Sequence, residues 1–376
     1  MKFIIKSILI LLVVFQISVF GQKTQDDSLL TIANLEIYDN PEKSINIVKS
    51  LLKKEKDINK SVTLYMLLST ANIAQRNFDE SLKYILKAKE LAQKTSDLKT
   101  RTRVLVSVAI QYQQMELFSK SLETLDEAEQ YLSQIPDNIP EKNLETARIY
   151  AIRGMIYKSQ SNSEIALEKF LKSIESFEKI KSGETINANK SVVYYNIGYC
   201  YLNLNQNDKA ERAFLQSISY AQKNKAKSLE AFALKGMAEL YKQKRENQTA
   251  LNLLIKAENL CKNTGDLVLN AGIYKEMADN YLAMRNQDLY QNYNRKYFEM
   301  QFRKQQNELN SINQVIDNHN KETLLKSKNL KNRHQLLMAS AVGLGILIIA
   351  ILLILVIKIR KQNKKYHKEI QQLIRS

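Results

Sequence analysis

The sequence predicts an all-α chain: a solenoid of antiparallel helix pairs, followed by a long helix that continues into one transmembrane helix. Three observations carry this. A spaced signature returns six times between residues 62 and 298, clearest as Tyr194, Ile197, Gly198, Tyr201, Ala210, Phe214 and Ser217. Three Pro and nine Gly in 376 residues leave few breaks for hairpins or sandwiches. Apolar residues recur at helical spacing, as in Leu82, Ile85 and Leu86. The small residues of the signature let two backbones approach, and Tyr and Phe fill the space between them. A pair that cannot bury its own apolar face must stack on neighbours, so recurrence means a solenoid.

Taken in order, residues 1–21 have the three zones of a secretory signal. Lys2 and Lys6 precede the apolar run Ile8 to Phe15, and Val19-Phe20-Gly21 follows as an exit. An uncleaved anchor is the alternative reading. Residues 22–60 form a degenerate helix pair, Ser28 to Tyr38 and Pro41 to Lys53, that caps the stack.

Residues 61–298 hold the six repeats. One copy runs Tyr150, Arg153, Gly154, Tyr157, Ala166, Phe170 and Ser173, with offsets equal to those of the clearest copy. Others run Tyr65, Leu68, Ser69 and, after Asn77-Phe78-Asp79-Glu80, Ser81, Ile85, Ala88; Leu105, Val108, Ala109, Tyr112; and Leu234, Met237, Ala238, Tyr241. The last, Tyr274, Met277, Ala278, Tyr281, decays to Tyr290 where an Ala belongs. This pattern resembles the tetratricopeptide repeat, which implies a right-handed superhelix and a non-enzymatic protein-binding scaffold. The small positions 69, 109, 154, 198, 238 and 278 are 40 to 45 residues apart, where the family has 34. Longer second helices and loops, such as Ile135 to Pro140 and Lys181 to Glu184, are the expected place for the surplus.

No Pro or Gly occurs from Asp288 to Gly343, so one helix should leave the last repeat. Within its stalk, residues 299–335, Phe302, Leu309, Ile316, Thr323 and Leu330 recur every seven residues beside a mostly polar companion row, a weak coiled-coil seam. Residues 336–357 carry no charge. A helix of that length reaches roughly 33 Å, enough for a bilayer core of about 30 Å. Ala339 with Gly343 and Ala341 with Gly345 give small-xxx-small spacings, which together with the stalk suggest a homodimer. Residues 358–376 are a basic tail. With the signal directing residues 22–335 outward, the chain is expected to cross a bacterial inner membrane once, with the repeats periplasmic and the tail cytoplasmic.

The net charge of +17 looks like a nucleic-acid signal, but its distribution argues for lipid. The tail carries seven Lys/Arg against one Glu, segment 301–335 seven against three, and the signal two Lys. Twelve of the seventeen excess charges therefore sit outside the solenoid. Beside anionic lipid each is worth about 1 kcal/mol. No direct nucleic-acid contact is expected.

No catalytic, metal or cofactor site is expected. His319, His334 and His367 have no Cys or carboxylate at ligand spacing, and no Gly-rich phosphate loop or Gly-x-Ser-x-Gly elbow occurs. Cys200 and Cys261 read as buried apolar residues. In the resembled family the first helix of each repeat lines a ligand groove. Carried over, this implies Arg103, Gln113 and Gln114, then Arg148, Met155 and Lys158, then Tyr195, Tyr199 and Asn203, then Lys235, Glu239 and Lys242. That set suits an extended peptide with carboxylates or apolar anchors. The whole arrangement is similar to membrane-anchored repeat regulators and sensors of Bacteroidetes-type bacteria. In those, a helix-turn-helix or kinase module usually follows the span, whereas here 19 residues follow it. The expected function is the input part of a signalling or transcription-regulatory system; a static envelope scaffold is the alternative.

Overall fold

The computed structural model describes residues 26–37, 39–180, 183–262 and 264–375. The side chains of 184–185, 310–323, 326, 347–348, 350 and 365–375 are outside the description, as are the signal expected at residues 1–21 and Lys181-Ser182. The described residues are helical almost throughout, with no strand among them. A short α1 (residues 26–37) precedes α2 (Pro41–Leu52). Five hairpins follow: α3 (Ile58–Ala74) with α4 (Phe78–Ala92), α5 (Leu98–Gln114) with α6 (Phe118–Leu132), α7 (Pro140–Ser159) with α8 (Ser163–Glu178), α9 (Glu184–Asn203) with α10 (Asn207–Lys223), and α11 (Lys227–Gln243) with α12 (Asn247–Cys261). Then come α13 (Leu267–Ala283) and α14 (Gln287–Arg375). Described residues up to Asn313 form one compact unit, and those from Gln314 a second.

Local chemistry sets the boundaries. Asn40, Asp57, Asn77, Asp97, Asn162 and Asp266 each accept a backbone N–H of the helix they precede. Pro41 and Pro140 stand at the first position of α2 and α7, where a missing N–H costs nothing. Inside the hairpins the chain turns through a left-handed residue: Arg76, Glu116, Ser161, Asn205, Arg245 and Arg285, with φ between 56° and 63°. The next amide then reaches back to a carbonyl in the last helical turn, a Schellman closure. Leu117, Asn162, Gln206, Glu246 and Asn286 donate to the carbonyls of Tyr112, Tyr157, Tyr201, Tyr241 and Tyr281 at 2.8–2.9 Å. The recurrent Tyr of the signature thus marks the residue whose carbonyl receives that bond.

The rest of the signature is close packing. A methyl group on Gly154 would meet the Phe170 ring at 2.7 Å. Phe214 is wedged between two glycines: added Cβ atoms on Gly198 and Gly236 would each approach its ring to 2.5 Å. Serines on the second helices add hydrogen bonds across four of the pairs: Ser81 Oγ to the Ser69 carbonyl and Ser121 Oγ to that of Ala109. Two turns later on their helices, Ser173 and Ser217 reach the carbonyls of Ala147 and Ser191.

The two longest repeat spacings draw on the first helices as well as on loops. Second helices stay at 15 to 17 residues, while the first helices α7 and α9 reach 20 against 17 in α3, α5, α11 and α13. Pro140 can begin a helix early because it needs no donor, so part of the surplus becomes an extra turn rather than loop. At the last repeat Tyr290 does not break the packing. Leu289, Tyr290 and Tyr293 lie against the α11–α13 core, and Tyr293 stacks on Tyr281 at 5.5 Å.

In the second unit the described side chains of 336–357 are exposed apart from Gly345, so no protein core covers this apolar stretch. Ser327–Lys364 is long and apolar enough to cross a membrane. Cys200 and Cys261 are free and buried, and burial pushes their thiols up to about 11 and about 12.

Candidate functional site

The first unit closes on itself. Ser228 Oγ at the start of α11 donates to Asp39 at 2.8 Å, 189 residues away. Gly265, in the α12–α13 loop, faces the Pro41 ring so closely that an added Cβ would stand 3.1 Å from it. Near residue 308, α14 meets the α3–α4 turn: Arg76 Nε donates to Glu308 at 2.7 Å, and Asn307 Nδ2 to the Gln75 carbonyl at 3.1 Å.

Inside this closure lies a cavity of about 530 Å³, lined by Arg76, Gln114, Lys158, Tyr195, Phe232 and Asp266 among others. Its floor is aromatic. Tyr195 meets Tyr199 edge-on at 4.9 Å and Phe232 at 5.6 Å. Lys158 Nζ stands 5.7 Å and 5.4 Å from the Tyr195 and Tyr199 ring centres and donates to Asn196 Oδ1 at 2.5 Å. Among the described residues it has no ion-pair partner, and burial holds its pKa below the ordinary lysine value. Across the site Asp266 accepts the Val268 and Leu269 amides at 3.0 Å each, yet burial raises its carboxyl above the usual range. The cavity therefore offers apolar ring faces, one cation without an acidic partner and one buried acid. Among the described residues no group of three His, Cys, Asp or Glu could hold a metal ion.

The residues implied at sequence level do not all come together; Gln113, Gln114 and Met155 line this cavity as well. Lys158, Tyr195, Tyr199, Lys235 and Glu239 come together. Tyr199 donates its hydroxyl to Glu239 at 2.7 Å, and Lys235 Nζ reaches the same carboxylate at 2.5 Å and the Tyr199 oxygen at 3.0 Å. Burial, then Tyr195 and Glu239, drives the Tyr199 hydroxyl well above its usual value. Burial opposes the charge on Lys235, but Tyr195 and Glu239 outweigh it and its pKa is raised. Arg103 lies elsewhere, bonded to Thr63 at 3.2 Å and lining a second cavity of about 470 Å³ with Leu30, Leu51 and Lys60. Arg148 is held by both oxygens of Glu145 and by Ser107. Asn203 donates to Ser163, and Lys242 pairs with Glu276 and with Asp279 at 3.4 Å. Most of the expected cationic groove is thus neutralised by the protein's own carboxylates.

Sequence reasoning passed over Arg76, Phe232 and Asp266. In the structure Arg76 is the left-handed residue of the α3–α4 turn and Asp266 caps α13. Their meeting in one cavity follows from the winding of the stack, which no local spacing encodes.

The tetratricopeptide-repeat family pattern matches residues 192–224, most of α9 and all of α10. No similar sequence is found among curated proteins. Several solved structures share the fold. The crystal structure of NprR in complex with its cognate peptide NprX is 14% identical, with a TM-score of 0.53, covering 74% of this chain and 82% of that one. The Rap conjugation gene regulator of the plasmid pLS20, in complex with the Phr* peptide, is 14% identical, with a TM-score of 0.53 and 70% of each chain covered. The Rap protein complexed with competence and sporulation factor is 13% identical, with a TM-score of 0.51, covering 71% and 81%. The chain is therefore an all-α solenoid of tetratricopeptide type, in which one repeat carries the recognisable family sequence.

Proposed function

We propose that this chain is a non-enzymatic, membrane-anchored binding protein whose solenoid takes a peptide or protein segment into the central cavity. It serves as the input part of a signalling or regulatory system. The observation that carries this reading is the cavity itself: rings for apolar side chains, with Lys158 left without an acid of its own. Solved structures of the same fold are complexes with peptides, which supports the choice of ligand class. The apolar 336–357 stretch supports anchoring in a lipid bilayer. The signal expected at residues 1–21 would put the solenoid outside a bacterial inner membrane and the basic tail inside. The stalk and span are the surfaces through which two chains would pair.

A random peptide library displayed on phage and panned against the full chain in detergent should enrich related sequences. Their binding should be lost in Tyr195→Ala and Lys158→Met and retained in Arg103→Ala, which alters the other cavity. Because burial already disfavours the charged Lys158, Lys158→Met should raise the Tm, so its loss of binding is not unfolding. Enrichment that is absent, or indifferent to Tyr195 and Lys158, would leave the static scaffold as the better reading.

A further inference from the structure

We propose that residues 297–308 of α14 are a strap that fastens the solenoid shut around its cavity, with Arg76 as the catch. The catch is a cavity-lining residue in its own right. Its guanidinium spends Nε and Nη2 on Glu308, points Nη1 toward Gln114 Oε1 at 3.5 Å, and lies 4.5 Å over the Phe78 ring. Its backbone is held in the left-handed region at φ 60°, which aims the side chain from the hairpin turn. One residue earlier, the Gln75 carbonyl takes the Asn307 side chain.

How α14 is held differs along its length. Tyr293 stacks on Tyr281 and donates to Glu258 at 3.0 Å, and Lys296 pairs with the same acid at 3.4 Å, so the start of the helix belongs to the core. Beyond that Phe298 and Phe302 are 60% and 63% exposed, and Leu309, next to the catch, is 56% exposed. The far attachment at 307–308 is therefore polar and buries little apolar surface. The Arg76 and Glu308 side chains are only 16% and 20% exposed, but with little apolar surface packed around them this attachment opens more readily than the core does. An anionic group entering the cavity would meet Arg76 and compete with Glu308 for it. The same helix carries Ser327–Lys364, so release of the catch frees the element that leads into the apolar stretch. The strap controls access to the cavity assigned to ligand above, yet it can be tested with no peptide present.

The full chain in detergent, carrying Gln75→Cys and Asn307→Cys, should be joined within one molecule by a short bis-maleimide. Native Cys200 and Cys261 are buried and stay unreacted. Adding Glu308→Gln should slow the joining about fivefold, the equivalent of a pair worth about 1 kcal/mol. Exchanging the charges with Arg76→Glu and Glu308→Arg should restore it. The dye 8-anilinonaphthalene-1-sulfonate, an aromatic anion, serves as the cavity probe. Joined protein should take it up about fivefold more slowly than unjoined protein of equal helicity and Tm. Joining that ignores Glu308→Gln, a charge exchange as slow as the single variant, or equal dye uptake in joined and unjoined protein would each overturn the strap. None of these readouts depends on whether a peptide binds.

Discussion

At Phe214 the logic of the repeat is visible in single atoms. The ring fills the space that two glycines on successive first helices leave open, so it can retreat from neither. Gly198→Ala or Gly236→Ala should each destabilise the protein by about 2 kcal/mol, within the usual range for overpacking, measured as a drop in Tm and denaturant midpoint. Combining either with Phe214→Leu should recover part of the loss, because the methyl group then has room. Asp266 supplies a test in pH. Burial raises its carboxyl pKa in the folded state, so the folded protein binds a proton that the unfolded chain releases. Its contribution is fully present below the unfolded value and is lost as pH rises through the folded one. Asp266→Asn keeps an oxygen for the Val268 and Leu269 amides while removing the buried charge. The variant should gain Tm relative to wild type as pH rises from acid to neutral, and the gain should vanish at acid pH; equal differences at both would exclude Asp266 as the cause.

Among the elements, the hairpin turns are the most exposed to local chemistry. Each ends its first helix in a left-handed residue, yet none of those residues is glycine. The left-handed region costs an L residue about 1 kcal/mol or more, part of which glycine returns through the greater freedom of its unfolded chain. Ser161→Gly should therefore stabilise by about 0.5–1 kcal/mol, whereas Ser161→Val should destabilise, both read from urea unfolding. The hairpins were legible in sequence because Asn77, Asn162 and the recurrent Tyr stand at fixed offsets from the small residues. The distribution of the long period was not legible. Whether surplus residues extend a helix or a loop depends on whether the first turns of α7 and α9 can still pack, and Leu144 and Ile186 do find a core to join.

For the whole molecule, closure matters more than any one repeat. A stack in which each hairpin touched only its neighbours would have no relation between Asp39 and Ser228, or between Arg76 and Glu308. Here both pairs meet, and Arg76 and Ser228 both line the cavity. At this scale the topology is testable. Protease added to intact spheroplasts should digest the solenoid and spare an epitope placed after Ser376; a solenoid that survives would place it on the other side of the membrane. Limited digestion in detergent should cut first among exposed residues of the stalk, leaving α2–α13 as one fragment, because polar contacts at 307–308 protect less than the packed core does.

Sequence alone determined the helical class, the repeated pairing and the long apolar helix, since each is written in residue types that recur at fixed offsets along the chain. It also placed Lys158, Tyr195, Tyr199, Lys235 and Glu239 on first helices, and these meet in space. Tertiary structure alone decided which charges are spent. Arg148 on Glu145 and Lys242 on Glu276 are neutralised, while Lys158 is not, because whether a carboxylate lies within reach depends on how successive helices rotate. That rotation accumulates over the stack, bringing Arg76 and Asp266 to one cavity from 190 residues apart in the chain. A small angle per repeat, set by packing rather than by any single spacing, is what turns a row of hairpins into a closed site.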